Sequence, residues 1–252
     1  MRTALEPVSD IARKSDAPRP DVHRQAVVSA VIPCLDEEAA IATVVSAVLA
    51  QNVSEVVVVD GGSRDGTVDR ATAAGACVIV EARRGYGRAI QAGIAAVRQD
   101  ADILVFLDGD GSDPAEFIPD LVSPITAGQA VFVLGSRTRG ARERGSLAPQ
   151  QVMAACVGSL LLRLVYGARF SDLSPFRAIR RDVLDRLGMS DMTYGWNLEM
   201  QMRAAKQKLR ILEIPVDHRC RTGGVSKVSG TLRGTFVAGT RILATALRVA
   251  LE

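Results

Sequence analysis

Twice in the first 110 residues an apolar run stops at an aspartate followed by glycine. The first is Val56-Val57-Val58-Val59-Asp60-Gly61-Gly62-Ser63-Arg64-Asp65-Gly66-Thr67, and the second is Ile103-Leu104-Val105-Phe106-Leu107-Asp108-Gly109-Asp110. Each reads as a buried strand that ends in an acid, followed by a turn. Buried strands of this kind belong to parallel sheets, whose C-terminal edge is where open α/β folds bind nucleotides. Two acid-tipped strands at one sheet edge make a site for something charged.

The rest of the chain supports that architecture. Strands are expected at 27–35, 55–60, 77–82, 103–108 and 130–136. Helices are expected at 37–50, with acids in its first turn, at 67–74 with Thr67 as its cap, and in a segment ending near residue 98. Asp113-Pro114 is expected to cap and open another helix, with proline at its first position. Strict β-α alternation implies a doubly wound, mostly parallel sheet. Beyond residue 136 the alternation lapses: a polar stretch at 137–146, helices at 149–166 and 196–207, a strand at 209–216, and a terminal helix from about 232. Residues 1–25, with Pro7, Pro18 and Pro20, read as a mobile tail. The catalytic domain is expected over 26–217, and a basic loop with an amphipathic helix over 218–252.

Composition narrows the function. At 252 residues and 48% hydrophobic, the chain can build a sizeable core. A net charge of +3 gives no reason to expect nucleic acid as a partner. Of the 31 basic residues 27 are arginine, which suits planar phosphate contacts, although codon usage gives the same bias. The four cysteines lack metal-ligand spacing and read as buried free thiols in a reducing compartment. Neither a signal peptide nor a transmembrane run is evident, so a cytoplasmic location, peripheral on the inner face of the membrane, is expected.

Five stretches carry chemistry. Asp108 and Asp110, separated by Gly109, can grip a divalent cation that completes its shell with substrate phosphates, as Mg²⁺ or Mn²⁺ does; a bare D-x-D is also a common solvated turn. The acids of Pro33-Cys34-Leu35-Asp36-Glu37-Glu38 can bind a base or ribose, or merely charge a helix start. Asp60 is either a ligand or simple turn chemistry. Arg83-Arg84-Gly85-Tyr86-Gly87 offers guanidiniums and free amides to a diphosphate. No G-x-G-x-x-G follows the first strand, which disfavours a nicotinamide cofactor. The run Arg219-Cys220-Arg221-Thr222-Gly223-Gly224-Val225-Ser226-Lys227 suits a phosphate clamp or a solvated loop.

Taken in order, these residues resemble glycosyltransferase family 2 of the GT-A fold, in the branch of dolichyl-phosphate mannose synthase and other polyprenyl-phosphate glycosyltransferases. Ile32-Pro33-Cys34-Leu35-Asp36-Glu37 is similar to that family's I-P-x-x-N-E. Val59 to Thr67 is similar to V-D-D-G-S-x-D-G-T, and Leu107 to Pro114 to its D-x-D-x-x-x-P. Gly135-Ser136-Arg137, Asp172-Leu173-Ser174-Pro175-Phe176-Arg177 and Arg221 to Lys227 also match. The resemblance implies a UDP- or GDP-sugar donor, Mg²⁺ or Mn²⁺, and inversion at the anomeric carbon, with a lipid phosphate as acceptor. By position, Pro33, Leu35, Glu37, Asp60, Arg83, Gly85, Asp108 and Gly109 would hold the nucleotide sugar. Asp108 and Asp110 would hold the metal, and Arg137, Arg221, Ser226 and Lys227 would meet phosphates. Asp172, Glu199 and Arg137 are the catalytic candidates, the two acids as bases should the acceptor be a hydroxyl. Gly61, Asp36 and Ser112 depart from the pattern, Ser112 where a third metal ligand is sought. The alternatives are a hydroxyl acceptor on the same fold and a non-catalytic nucleotide-sugar-binding module. The apolar helices suit either an anionic bilayer or packing on the core or in a homodimer.

Overall fold

The computed structural model describes residues 25–223 together with 244, 245, 248 and 249. The expected tail, Ser226, Lys227 and most of the expected terminal helix lie outside the described residues; the four described C-terminal residues are helical.

Seven strands form one sheet: β1 (Val28–Cys34), β2 (Glu55–Asp60), β3 (Cys77–Val80), β4 (Ile103–Phe106), β5 (Phe132–Ser136), β6 (Arg177–Arg180) and β7 (Ile211–Pro215), in the order β3-β2-β1-β4-β6-β5-β7. All run parallel except β6, which is antiparallel to both β4 and β5. Period-two alternation divides the core. Val31, Val57, Val59, Leu104, Phe106 and Leu134 face one side. Ala30, Ile32, Val56, Val58, Val105 and Val133 face the other. Helices α1 (Ile41–Leu49) and α4 (Ile118–Thr126) cover the second side through Ile41, Val45, Ile118 and Leu121. Helices α3 (Tyr86–Ala96), α6 (Arg181–Leu187) and α7 (Trp196–Lys206) cover the first. Helix α5 (Pro149–Tyr166) joins that layer through Leu162, and α2 (Thr67–Ala73) packs beside α1. The doubly wound expectation therefore holds.

Four local expectations are corrected. The first helix starts at Ile41, with no acid in its first turn. Asp36 takes a left-handed backbone, φ +50°, a conformation that Asp and Asn tolerate better than other side chains. The following acids then bond to the β2 turn instead of extending the helix. Asp113 does not cap the helix and Pro114 is not its first residue: Pro114 caps a 3-10 turn (Ala115–Phe117) that runs directly into α4, and the Asp113 carboxylate faces back to the Asp108 amide. Thr67 is the first helical residue rather than the cap, which is Gly66. Of the cysteines only Cys34 is buried; Cys77, Cys156 and Cys220 are exposed free thiols, since β3 is an edge strand and the other two lie on outward-facing positions.

The topology brings the chemistry-bearing segments to one edge. β1, β2, β4, β5 and β7 all leave the sheet there, and the antiparallel β6 enters there. Asp36, Asp60, Asp108, Arg137, Asp172 and His218 are thus collected from six strands.

Candidate active site

The turn after β4 is held by its own acids. The Asp108 amide donates to Asp113 Oδ2 at 3.2 Å, and the Ser112 amide to Asp110 Oδ1 at 2.9 Å. Gly111 sits at φ +80°, and a Cβ there would lie 2.7 Å from Thr222 Oγ1. That missing side chain lets the loop after β7 close over the turn, with the Thr222 amide on the Asp110 carbonyl at 3.0 Å. Burial, then the Asp110 and Asp113 charges, push the Asp108 carboxyl well above its ordinary range; Arg137 pulls the other way. The turn therefore concentrates more negative charge than its cations offset.

That surplus fits a hard divalent cation. Among the described residues no three His, Cys, Asp or Glu groups form a ready metal cluster. A pair of carboxylates is nevertheless the usual protein share for Mg²⁺, with waters and phosphates completing the shell. Sequence reasoning missed His218. Its Nδ1 lies 3.6 Å from Asp113 Oδ1; both are buried, and neither atom has a hydrogen-bond partner. A lone histidine after a strand carries no motif, and only the β5–β7 pairing places it here.

At the β1–β2 edge the acids are bound in a lattice. Asp60 Oδ2 accepts from the Gly62 and Ser63 amides at 2.9 Å each, and its other oxygen takes the Ser63 hydroxyl. Asp36 accepts from the Arg64 amide at 2.9 Å. The Glu37 amide donates to Thr67 Oγ1 at 2.9 Å, and its carboxylate takes Arg221 Nη2 at 2.5 Å. Arg221 Nη1 also stands 3.9 Å from Asp110 Oδ2. So Arg221, Glu37 and Asp110, far apart in sequence, are neighbours. Leu35 lies against Gly61, whose added Cβ would meet Leu35 Cβ at 3.6 Å. Pro33 pairs with Val59 inside the sheet, and Gly109 packs so closely that a Cβ would fall 3.0 Å from Cys34 Cβ.

On the other flank Arg137 and Asp172 form a bidentate pair. Nε donates to Oδ2 and Nη2 to Oδ1, each at 2.9 Å, and the Arg137 amide adds a third bond at 3.0 Å. Asp172 is 1% exposed and Arg137 11%. Burial alone would raise the Asp172 pKa, but the Arg137 bonds override it and hold it below the ordinary range. A carboxylate held that way is a weak base.

Glu199 is similarly committed. Its buried oxygens accept from the Ser190 amide and hydroxyl, the Asp191 amide at 2.7 Å, Arg203 Nε at 2.9 Å and Arg248 Nη2 at 3.2 Å. Those bonds outweigh its burial and lower its pKa. They organise the 190–193 loop, which in turn corrects the expected cradle of free amides. The Gly87 amide donates to Thr193 O and the Arg88 amide to Met192 O, both at 3.1 Å. A Cβ on Gly87 would lie 2.1 Å from Asp191 O, so the glycine serves loop docking. Gly85 meets the same loop, and Arg83 is bound to Glu81 through Nε at 2.8 Å.

Known proteins are similar to this chain in sequence and in fold. A family profile described as glycosyl transferase family 2 matches residues 29–188. An uncharacterized glycosyltransferase of Mycobacterium tuberculosis is 38% identical over 84% of this chain and 94% of its own length. The undecaprenyl-phosphate mannosyltransferase of Micrococcus luteus is 31% identical over 73% of this chain and 79% of its own. Among solved structures, glucosyl-3-phosphoglycerate synthase from Mycobacterium tuberculosis in complex with phosphoglyceric acid superposes with a TM-score of 0.72. It is 26% identical, covering 89% of this chain and 80% of that one. The same synthase has been solved with Mn²⁺ and UDP-glucose, at 25% identity and a TM-score of 0.72. With its family profile, relatives and sheet in agreement, this chain belongs to glycosyltransferase family 2 and carries the GT-A fold of a glycosyltransferase.

Proposed function

We propose that this glycosyltransferase moves a sugar, with inversion, from a UDP- or GDP-sugar to a polyprenyl phosphate. The observation that carries the acceptor choice is the commitment of Asp172 and Glu199. A hydroxyl acceptor needs a base, worth typically 10²–10⁴-fold, and both candidate bases are already engaged by guanidiniums and amides. A phosphate acceptor is anionic before it arrives and needs none. The lipid phosphate named in the Micrococcus relative has that chemistry.

In this reading Asp60 and Glu37 border the nucleoside, and Asp108 and Asp110 hold Mg²⁺ or Mn²⁺ against the diphosphate. The cation, when bound, offsets charge developing on the leaving nucleoside diphosphate. Arg137, fixed by Asp172, meets the acceptor phosphate and aims it at the anomeric carbon. Arg221 exchanges Glu37 for a phosphate, and Ser226 and Lys227 follow it in sequence. Glu199 acts by shaping the loop against α3. A second reading, favoured by the phosphoglycerate-bound neighbour, is transfer to a small phosphorylated acceptor. Incubating the purified protein and Mn²⁺ with UDP- or GDP-sugars and either polyprenyl phosphate or 3-phosphoglycerate separates the two. Sugar label should enter the organic phase only with the lipid, and a chelator should stop it. Label transferred only to phosphoglycerate would replace the first reading by the second, and no transfer to either would remove both.

Among the described residues no helix is long and apolar enough to cross a membrane. Helix α5 instead exposes Met153, Val157, Leu160 and Leu164 along one stripe, spaced by four, three and four residues. We place this stripe on the bilayer that carries the acceptor, with exposed Arg163 beside it. Replacing Leu160 and Leu164 by glutamate should lower transfer to vesicle-embedded lipid phosphate by about tenfold or more. Transfer to a short-chain, water-soluble analogue should be unchanged. Equal losses with both acceptors would contradict the placement.

A further inference from the structure

Arg177 opens β6, the strand that sequence reasoning did not foresee. Its register neighbours are Phe106 on β4 and Leu134 on β5. That places it in the sheet between the strand that delivers Asp108 and the one that delivers Arg137. Its side chain is completely buried. Nη1 donates to Asn197 O at 3.1 Å and Nη2 to Ser174 O, while the guanidinium stands 5.8 Å from the centroid of the Phe132 ring. Nε has no partner, and no carboxylate among the described residues lies within ion-pair distance. Arg177 is thus a buried cation held by carbonyls and a ring, with no carboxylate in ion-pair contact and only the more distant charges of Asp172 and Asp108 to offset it.

Such a group is expensive to keep. An apolar side chain of similar volume usually makes a more stable core than a buried ion. The other arginines of this edge are already matched, Arg137 by Asp172 and Arg221 by Glu37. Asp108, Asp110 and Asp113 meanwhile repel an incoming diphosphate. A charge in a poorly screened interior projects its field further than one in water. Burial pulls the Arg177 pKa down to about 10, still leaving it charged at neutral pH.

We propose that Arg177 is a positioning residue, a fixed positive charge beneath the sheet edge whose field draws the donor's diphosphate to the acid-lined turn. This rests on reading that turn as the donor site. The test is calorimetric binding of pyrophosphate, UDP and GDP with Mn²⁺ to the full chain, alongside thermal unfolding, for the parent, Arg177→Met and Arg177→Lys. Arg177→Met should weaken all three anions by about tenfold, more at low salt, while its melting temperature holds or rises. Arg177→Lys keeps the charge and should stay within about threefold of the parent. A Met variant that loses stability but binds as the parent does, or Met and Lys variants that lose affinity equally, would overturn the proposal. A parent that binds none of the three anions would overturn the donor-site reading and this proposal with it; binding without transfer would spare the proposal and remove only the reaction.

Discussion

Asp108→Asn is expected to abolish sugar transfer while leaving the protein at least as stable as the parent. The loss should reach about 10³-fold, the scale of removing a preorganised electrostatic partner from a transition state. The unchanged or raised stability follows from the crowding. Asp108 is a half-buried carboxylate repelled by Asp110 and Asp113, and its folded-state pKa lies well above the ordinary value. An acid shifted that way binds more protons in the folded than in the unfolded state between the two pKa values. In chelator, the parent should therefore gain stability as pH falls through the folded pKa toward the ordinary aspartate range. The asparagine variant should lose that gain. Denaturant unfolding at several pH values reads both effects; a large drop in stability on Asp108→Asn would mean that the turn depends on the charge.

Asp172→Ala is expected to do the opposite to the fold. It leaves the largely buried Arg137 guanidinium without its ion-pair partner, which costs about 3–5 kcal/mol and lowers the melting temperature on the order of 10 °C for a domain of this size. Removing both charges, as Arg137→Met with Asp172→Leu, should recover most of that loss, because the two members desolvate together. Neither variant should transfer sugar, since Arg137 is the acceptor-side cation of the proposed reaction. The depressed Asp172 pKa adds a sign. The pair's contribution is present above the ordinary aspartate range and is lost as pH falls through the folded value. Unfolding of the single and double variants measures the coupling directly, and a double variant no more stable than Asp172→Ala would refute it.

Much of this was legible in the chain, for reasons that can be named. Strands β1, β2 and β4 are apolar runs ended by acids, a pattern that only a two-sided buried strand explains. Their C-terminal acids were therefore placed at one edge correctly. Strand β6 was not seen because Arg177 and Arg180 interrupt its apolar pattern. Arg177 is buried because Phe132 and Asn197, both far from it in sequence, enclose it together with the nearby Ser174. The start of α1 was misjudged because Asp36, Glu37 and Glu38 look like first-turn acids, while their real partners, Ser63, Thr67 and Arg70, lie a strand away. Gly85 and Gly87 look like a phosphate loop, yet the 190–193 segment fills the space above them. Pairings of this kind are set by tertiary contact, and no local spacing encodes them.

In the proposed reaction the acids after β4 hold a nucleoside diphosphate through a divalent cation. Calorimetric titration of UDP and GDP into the full chain, with Mn²⁺ or with chelator, tests it most directly when repeated on Asp110→Asn. One of the two nucleotides should bind with Mn²⁺, and its affinity should fall at least about tenfold in chelator and in the variant. Equal affinity under all three conditions would contradict the account.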